Sequence, residues 1–208
     1  MAEPAARRLP RGRHPLSREE VEADQRLRIL VAVADTMSAQ GYVNTPVADI
    51  ISSAGVSRAT YYSMFSDKLD AFLAAFDFVG EMLVSSMTEA TGGGGTPLER
   101  VERAMDTYLG TIAAEPRYAR LFLIEVYAAG PEAIRRRHAV QARLVDDLVT
   151  MLGAGTDSAR FACQVIVASM SAMLVGPLVA EDPEAVLALG PPMLDHIGRL
   201  IDDGIVTA

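Results

Sequence analysis

The chain of 208 residues has little of the chemistry that enzymes and metal sites use, because it contains one cysteine, three histidines and no tryptophan. A single cysteine, Cys163, excludes an intramolecular disulfide framework and a cysteine metal cluster. His14, His138 and His196 are far apart, and no metal-ligand spacing occurs. With no histidine nearby in sequence, Cys163 is interpreted as a buried thiol and not as a nucleophile. The sequence therefore predicts a protein that is not an enzyme and has no cofactor or metal.

Long hydrophobic runs are also missing. The longest candidate, residues 165–180, is interrupted by two serines, a glycine and a proline, so no uninterrupted stretch reaches membrane-spanning length. The arginines of residues 7–13 are followed by charged residues and not by the apolar stretch of a secretory signal. We therefore expect a cytoplasmic protein without a membrane partner.

Apolar and polar residues do not alternate with period two for long enough to predict a β-strand. Half of the residues are hydrophobic, and they recur in segments of helical length. Ser17 and Glu20 form a capping-box pattern that predicts a helix from Arg18 to Gly41. The other helices are expected near residues 47–54, 57–63, 66–90, 97–114, 116–128, 131–152, 157–180 and 183–204, with Thr45 and Ser66 as N-caps and the glycines at 92–95 as a loop. This pattern predicts an all-α fold of about nine helices.

The net charge of −8 is distributed unevenly. Residues 1–68 contain nine Lys or Arg and eight Asp or Glu, whereas the remaining 140 residues contain ten and nineteen. The acidic excess therefore lies downstream, and the N-terminal part keeps the local positive charge that DNA binding requires. Residues 1–16 carry four arginines and three prolines. They are interpreted either as a disordered tail or as a basic arm that follows a DNA groove.

Two short predicted helices are joined by Ala54-Gly55-Val56-Ser57, which is the spacing of a helix-turn-helix. Gly55 permits the sharp reversal, because glycine adopts a left-handed backbone without penalty. Ser57 can cap the second helix, which we call the recognition helix because it is the natural element to enter a major groove. Tyr61 and Phe65 lie one turn apart on one face of the chain and are predicted to be core. The buried seam between the two helices is predicted to consist of Val47, Ile50, Ile51, Ala54 and Val56.

Residues 45–68 resemble the signature of the TetR family of transcriptional regulators. The shared features are a threonine-led helix, an Ala-Gly-Val-Ser turn, a Thr-Tyr-Tyr recognition helix, and a Phe followed by a Lys that opens the next helix. The resemblance covers roughly residues 17–80. Beyond them only length, helical pattern and the Gly-Pro break after Ala129 are similar. It implies a three-helix DNA-binding domain at residues 17–68 and a larger helical effector-binding and dimerisation domain at residues 69–208.

Carried over position by position, the resemblance assigns DNA contacts to this sequence. Thr45, Tyr62 and Lys68 are expected to contact phosphates, which set the register without reading sequence. Arg58 is expected to reach a guanine edge with two hydrogen bonds, and Ser57, Ala59 and Thr60 to face the groove with it. Two positions depart from the family pattern. Met64 stands where a histidine often contacts phosphate, and Leu69 stands where Glu commonly follows the lysine.

The larger domain is expected to sense a small molecule and to form the dimer. Aromatic and methionine side chains at helical spacing are usually core, but some can line an apolar cavity. The candidates for this cavity are Phe76, Met82, Met105, Tyr108, Phe122, Tyr127, Met170 and Met173. The candidates for the dimer interface, on the last two predicted helices, are Ala168, Ala172, Gly176, Leu194, Ile197 and Ile201.

The sequence thus predicts a homodimeric, sequence-specific regulator. We expect a repressor that a small apolar or amphipathic ligand releases from a palindromic DNA operator. Two alternatives stay open: a DNA-binding regulator without an effector, and a helical interaction protein that has lost DNA binding.

Overall fold

The computed structural model describes residues 17–206. These residues form helices joined by short loops, and they contain no strand. The all-helical prediction is therefore confirmed. The interpretation of residues 1–16 as a basic arm lies outside the described residues. The helices are α1 (Arg18–Gln40), α2 (Val47–Ala54), α3 (Arg58–Met64), α4 (Lys68–Thr91), α5 (Pro97–Ala114), α6 (Pro116–Arg120), α7 (Val126–Ala128), α8 (Pro131–Leu152), α9 (Asp157–Met173), α10 (Val175–Ala180), α11 (Pro183–Leu187) and α12 (Gly190–Asp202).

The first helix begins at the predicted capping box. The Ser17 hydroxyl accepts a 3.2 Å hydrogen bond from the backbone N–H of Glu20, and the Glu20 carboxylate accepts one of 2.6 Å from the N–H of Ser17. The hydrogen bond from the Ser17 N–H, with a smaller contribution from the Ser17 side chain, lowers the pKa of Glu20, because it stabilises the charged carboxylate. Gly41, with φ of 82°, follows the last residue of α1. Both predicted ends of α1 are thus confirmed.

The fourth helix connects the N-terminal helices to the rest of the molecule. The predicted N-cap of α4 was Ser66, but the observed N-cap is Asp67, whose carboxylate accepts a hydrogen bond from the N–H of Asp70. The helix therefore begins one residue later than predicted. Ser66 instead donates to the Asp70 carboxylate through its N–H and its hydroxyl. A carboxylate is the better acceptor at a helix N-terminus, because the helix dipole favours a negative charge there.

Three of the expected helical regions are divided. The helix expected at residues 157–180 breaks at Leu174, because Pro177 has no N–H to donate to the carbonyl of Met173. The last region divides into α11 and α12 before the paired prolines 191 and 192 for the same reason. Between α6 and α7 the chain forms a π-helical segment, Leu121–Glu125, which we call the π segment.

One hydrophobic core runs from the N-terminal helices into the larger domain. Phe72 and Phe76 of α4 are both fully buried. Phe76 stacks on Phe122 of the π segment, with 4.3 Å between ring centroids. The long helix α4 therefore contributes to the packing of both domains. The four glycines 92–95 form the predicted loop after α4, and Arg103 donates to the carbonyls of Gly93 and Gly94 there.

By length and composition, two stretches of the described chain are apolar enough to cross a membrane, Lys68–Thr91 and Asp157–Ala180. This is weak evidence, because core helices of soluble proteins meet the same criteria. Half of the first stretch and one third of the second are buried within the fold. The second stretch therefore exposes an apolar face.

Candidate functional site

The turn between α2 and α3 has the geometry that its sequence predicts. Gly55 takes the left-handed conformation at φ 63° and ψ 36°, which reverses the chain. The Ser57 hydroxyl then caps α3 by accepting a 3.0 Å hydrogen bond from the N–H of Thr60. In the predicted seam Ile50 and Ala54 are buried, and Val47, Ile51 and Val56 are partly buried against the same core.

The outward face of α3 combines a cation with an aromatic ring. Ser57, Arg58, Ala59 and Tyr62 are exposed there. The guanidinium carbon of Arg58 lies 5.3 Å from the centroid of the Tyr62 ring. Among residues 17–206, no carboxylate lies within salt-bridge distance of Arg58. The hydrogen-bond donors of Arg58 are therefore available to a ligand.

The inward face of α3 is held by aromatic packing. Tyr61 and Phe65 are buried, as predicted, with 5.7 Å between their ring centroids. The Tyr61 hydroxyl donates a 3.1 Å hydrogen bond to the carbonyl of Asp67, and burial raises the pKa of this phenol above its ordinary value. The recognition helix is thus fixed to α4 through side chains that point away from the exposed face.

A second contact that fixes the turn comes from α1 and was not predicted. Arg28 donates to the carbonyl of Ala54 at 2.9 Å and to that of Gly55 at 3.4 Å. These carbonyls lie at the C-terminus of α2, where helices lack internal partners and cations are favourable. The contact spans 26 residues, so no local sequence pattern indicates it.

The predicted role of Thr45 is wrong. Thr45 is fully buried, and its hydroxyl donates a 2.8 Å hydrogen bond to the carbonyl of Gly41. The N-cap position of α2 belongs to Pro46, which makes no side-chain cap. Thr45 therefore stabilises the loop between α1 and α2, and its side chain is not presented to phosphate.

The ammonium group of Lys68 is already engaged within the fold. It donates a 2.7 Å hydrogen bond to the carbonyl of Tyr42 and lies 4.4 Å from the centroid of the Tyr42 ring. Lys68 thereby joins the start of α4 to the loop after α1. The two positions that depart from the family pattern, Met64 and Leu69, are partly buried and pack against the core.

The larger domain contains an apolar cavity of about 220 Å³ between α4, α5, α8, α9 and α12. Met105, Tyr108 and Met170, three of the predicted residues, line it together with Met87 and Met151. Met82 and Phe122 line a separate small cavity of about 30 Å³, which Tyr108 also borders.

Three of the predicted cavity residues lie elsewhere. Phe76 belongs to the core between α4 and the π segment, where it is fully buried. Tyr127 is 56% exposed and Met173 is 45% exposed, so neither encloses a cavity. Apolar periodicity placed these residues on helices, but the packing of each helix determined which way its side chains point.

Tyr108 is a polar group that lines the larger cavity. It is buried, and burial raises the pKa of its phenol to about 12. The hydroxyl is therefore neutral at physiological pH and can donate or accept a hydrogen bond. Ser171 of α9 lines the cavity with it.

The exposed apolar face of α9 and α10 has a helical repeat. Phe161 is 65% exposed, Val165 49% and Val179 62%. Ala168, Ala172 and Gly176, which were predicted to be interface residues, are exposed between them. The predicted interface is only partly accessible on α12, since Ile197 is fully buried and Leu194 and Ile201 are partly buried. Ile197 lines the cavity instead.

The described helix-turn-helix coincides with a match to a known family. Residues 29–75 match the family described as bacterial regulatory proteins, tetR family. The chain is 26% identical over 109 residues to the HTH-type transcriptional activator FasR of Mycolicibacterium smegmatis, covering 52% of this chain and 50% of that protein. It is 25% identical over 114 residues to the nucleoid occlusion factor SlmA of a Marinomonas species, covering 55% and 58%. The chain therefore spans about half the length of the curated relatives it matches.

A structural likeness extends over more of the chain. The transcriptional regulator FadR of Bacillus subtilis, solved in complex with stearoyl-CoA, superposes with a TM-score of 0.62 at 20% identity. The superposition covers 79% of this chain and 97% of that protein. At this identity it shows the fold, which places an N-terminal helix-turn-helix on a larger helical domain. Residues 29–75 are thus similar to the N-terminal segment of the tetR family, and the chain as a whole shares the fold of this solved regulator.

Proposed function

We propose that this protein is a dimeric transcriptional regulator that reads DNA through α3. The observation that carries the proposal is the exposed face of α3, on which Arg58 has no carboxylate partner among the described residues. Tyr61, Phe65 and Arg28 hold this helix from the opposite side. A fixed recognition helix with an unpaired guanidinium fits bidentate recognition of guanine. Tyr62 would contribute a phosphate contact, and so would the N–H donors of Lys68 that the Tyr42 carbonyl does not engage.

The basic arm has a place in this proposal, because residues 17–68 alone are not basic. They contain five Lys or Arg and seven Asp or Glu. The positive balance of the first 68 residues therefore comes from the four arginines of residues 1–16. Phosphate contacts supply much of the affinity for DNA, so we propose that these arginines contact the backbone or an adjacent minor groove.

The exposed apolar face of α9 and α10 is proposed to pair with the same face of a second copy. Its small residues, Ala168, Ala172 and Gly176, allow two helices to approach closely around a two-fold axis. Phe161, Val165 and Val179 would bury apolar area on either side of them. An isologous dimer carries two recognition helices, so its operator is expected to be a palindrome with half-sites about one DNA turn, or a multiple of one turn, apart.

The cavity is proposed to bind a small apolar or amphipathic effector that weakens DNA binding. Support comes from α4, which begins beside the helix-turn-helix and lines the cavity with Met87, Thr88 and Thr91. A tilt of this helix would change the spacing of the two recognition helices. A hundredfold loss of DNA affinity requires a coupling free energy of about 2.7 kcal/mol, which is within the usual allosteric range. FadR of B. subtilis, which shares the fold, was solved with bound stearoyl-CoA, a ligand that has a long apolar acyl chain.

We further propose that the protein acts in the cytoplasm as a repressor, since a dimer on an operator blocks other proteins from the same DNA. FasR is named an activator, so the sign of regulation needs its own assay. A reporter gene behind the selected operator, with and without the regulator, measures that sign. Higher reporter output with the regulator present would exclude repression.

The DNA-binding proposal is tested by selecting duplexes from a random library with the full chain. We expect enrichment of a palindrome bound by a dimer in gel-shift assays. Arg58→Ala is expected to relax base preference at one position of each half-site by about 1–3 kcal/mol. Arg199→Ala on α12 is the control, because Arg199 is exposed, far along the chain from α3, and paired with Asp195. Failure to enrich any sequence would favour a helical interaction protein that has lost DNA binding.

A further inference from the structure

Arg137 of α8 is a buried cation without a counter-ion. Its residue surface is 8% exposed, and no carboxylate within residues 17–206 lies within 4.0 Å of it. The adjacent Arg135 and Arg136 are both paired, with Glu132 and with Asp77. Burying a guanidinium without an opposite charge is costly, and such groups are usually paired.

The hydrogen bonds of Arg137 leave it only partly satisfied. One terminal nitrogen donates to the Gln141 side-chain oxygen at 3.3 Å, which is a long hydrogen bond. Its Nε is buried and has no hydrogen-bond partner among the described residues. The ring of Tyr127 lies 5.4 Å from the guanidinium carbon, so the other favourable contact is with an aromatic face. A buried N–H without a partner can bind an acceptor that residues 17–206 do not supply.

A short polar path connects Arg137 to the apolar cavity. The Gln141 amide nitrogen lies 3.4 Å from the Ser171 hydroxyl, and Ser171 lines the cavity beside Tyr108. The positive charge of Arg137 acts on the Tyr108 hydroxyl, whose pKa it lowers against the larger effect of burial. The guanidinium is therefore connected through the Gln141 side chain to Ser171, a residue that lines the cavity.

The inner face of α8 orders these groups along the cavity. Arg137 and Gln141 are one turn apart, and they are followed on the same face by Leu144, Leu148 and Met151, which line the cavity. Asp147, the acidic lining residue, is exposed and lies about 15 Å along α8 from Arg137 at the usual helical rise. The acidic lining residue is therefore well separated along α8 from the cationic group, which lies beyond the lining residues at the N-terminal side.

We propose that the effector is an apolar monocarboxylate, with its carboxylate on Arg137 and its chain in the cavity. Rotation of Gln141 would free the edge of the guanidinium for two parallel hydrogen bonds, and Ser171 and Tyr108 would donate to the same group. A single negative charge on the ligand matches the single positive charge of Arg137. The methionines that line the cavity would adapt to the chain, because their unbranched side chains fill irregular space. This inference rests on the proposed effector function.

The test compares three probes that share an eight-carbon chain: octanoate, 1-octanol and octylamine. Binding to the full chain is measured by calorimetry and by thermal stabilisation in the absence of DNA. We expect octanoate to bind at least about tenfold more tightly than 1-octanol, since hydrogen bonds to a charged group are the stronger ones. Octylamine is expected to bind most weakly. Equal affinities of octanoate and 1-octanol, or binding of neither, would overturn the proposal.

Arg137→Met removes the charge and keeps an unbranched apolar side chain. This variant is expected to lose the preference for octanoate and still to bind 1-octanol. If it does not fold, Arg137→Gln replaces it in the same measurement. Arg135→Met, at an exposed and paired arginine of the same helix, is expected to keep the preference. An unchanged preference in both Arg137 variants would refute the assignment.

A gel shift without any probe distinguishes a failure of the proposed ligand site from a failure of the proposed DNA binding. If the parent protein binds DNA but shows no preference for octanoate, only the proposed ligand class is refuted. Octanoate preference in a protein that binds no DNA would instead refute the regulatory function and leave the site standing. If the regulatory function and the ligand class are both right, octanoate should release the DNA and 1-octanol should not.

Discussion

The carboxylate of Glu125 accepts a 2.6 Å hydrogen bond from the backbone N–H of Tyr42, 83 positions earlier in the chain. Glu125 is a buried carboxylate at the end of the π segment, and Tyr42 follows α1 in the loop that leads to the helix-turn-helix. Lys68 donates to the carbonyl of the same tyrosine. The ring of Tyr42 meets Phe72 edge-on at 5.3 Å. Tyr42 thus joins α4, the π segment and the loop before the helix-turn-helix at one point.

Removing this carboxylate should weaken the contact between the domains. Glu125→Ala is expected to lower the free energy of unfolding by about 2 kcal/mol, because hydrogen bonds to charged groups contribute roughly 1.5–3 kcal/mol and the buried N–H loses its partner. Glu125→Gln keeps an acceptor and should cost less. Urea denaturation measures both. Glu89→Gln, at an exposed position of α4, should stay close to the parent protein, and an equal loss there would contradict the role of Glu125.

The left-handed backbone at Gly55 should make this position intolerant of a side chain. Gly55→Ala is expected to lower stability by about 1–2 kcal/mol, the usual cost of a left-handed residue with a Cβ atom. Its new Cβ would meet Arg28 only at an ordinary 3.6 Å, so the cost is conformational and not a collision. Chemical denaturation provides the measurement.

The control for this substitution is Gly94→Ala in the loop before α5. Nothing lies within 4 Å of the added Cβ atom there, and φ is outside the left-handed region. Stability should be unchanged or rise by about 0.4–1 kcal/mol, since alanine restricts the unfolded chain. If the two alanine variants lost stability equally, the special role of Gly55 would be refuted.

A charge in the middle of the exposed face of α9 should separate the proposed dimer. Ala172→Glu would place one carboxylate from each copy at the point where the two helix backbones are expected to approach. The two carboxylates would lose their water and repel each other. Sedimentation analysis should show a shift toward monomer at a concentration where the parent protein is dimeric. Ala139→Glu, an equivalent change at an exposed position of α8, should leave the assembly intact. A dimer that tolerates Glu at position 172 would place the interface elsewhere.

The thiol of Cys163 should be unreactive in the folded protein. It is fully buried on α9, and burial raises its pKa, so the reactive thiolate is scarce. Reaction with a disulfide reagent is expected to be slower than in denaturant by at least about a hundredfold, because it requires opening of the fold. Rapid labelling under native conditions would show that the face of α9 carrying Cys163 opens readily.

The larger domain could be predicted in outline but not in its contacts. The bounds of α5 and α8 follow from prolines, caps and glycines close to each helix end, and both matched the structure. The same apolar periodicity did not distinguish Met105 and Met170, which line the cavity, from Tyr127 and Met173, which are exposed. A helical repeat defines a face, but which face is buried depends on neighbours supplied by other parts of the chain.

By itself, the sequence determined the helical fold, the position of the helix-turn-helix and the buried pair Tyr61 and Phe65. These features depend on interactions within a few residues, which a cap, a glycine or a helical repeat is enough to specify. Only the tertiary structure decided that Thr45 is buried, that Arg28 holds the turn after α2, and that Arg137 is enclosed with no counter-ion among residues 17–206. Each of these depends on groups brought together from distant helices, and burial or a missing partner exists only once those helices are packed.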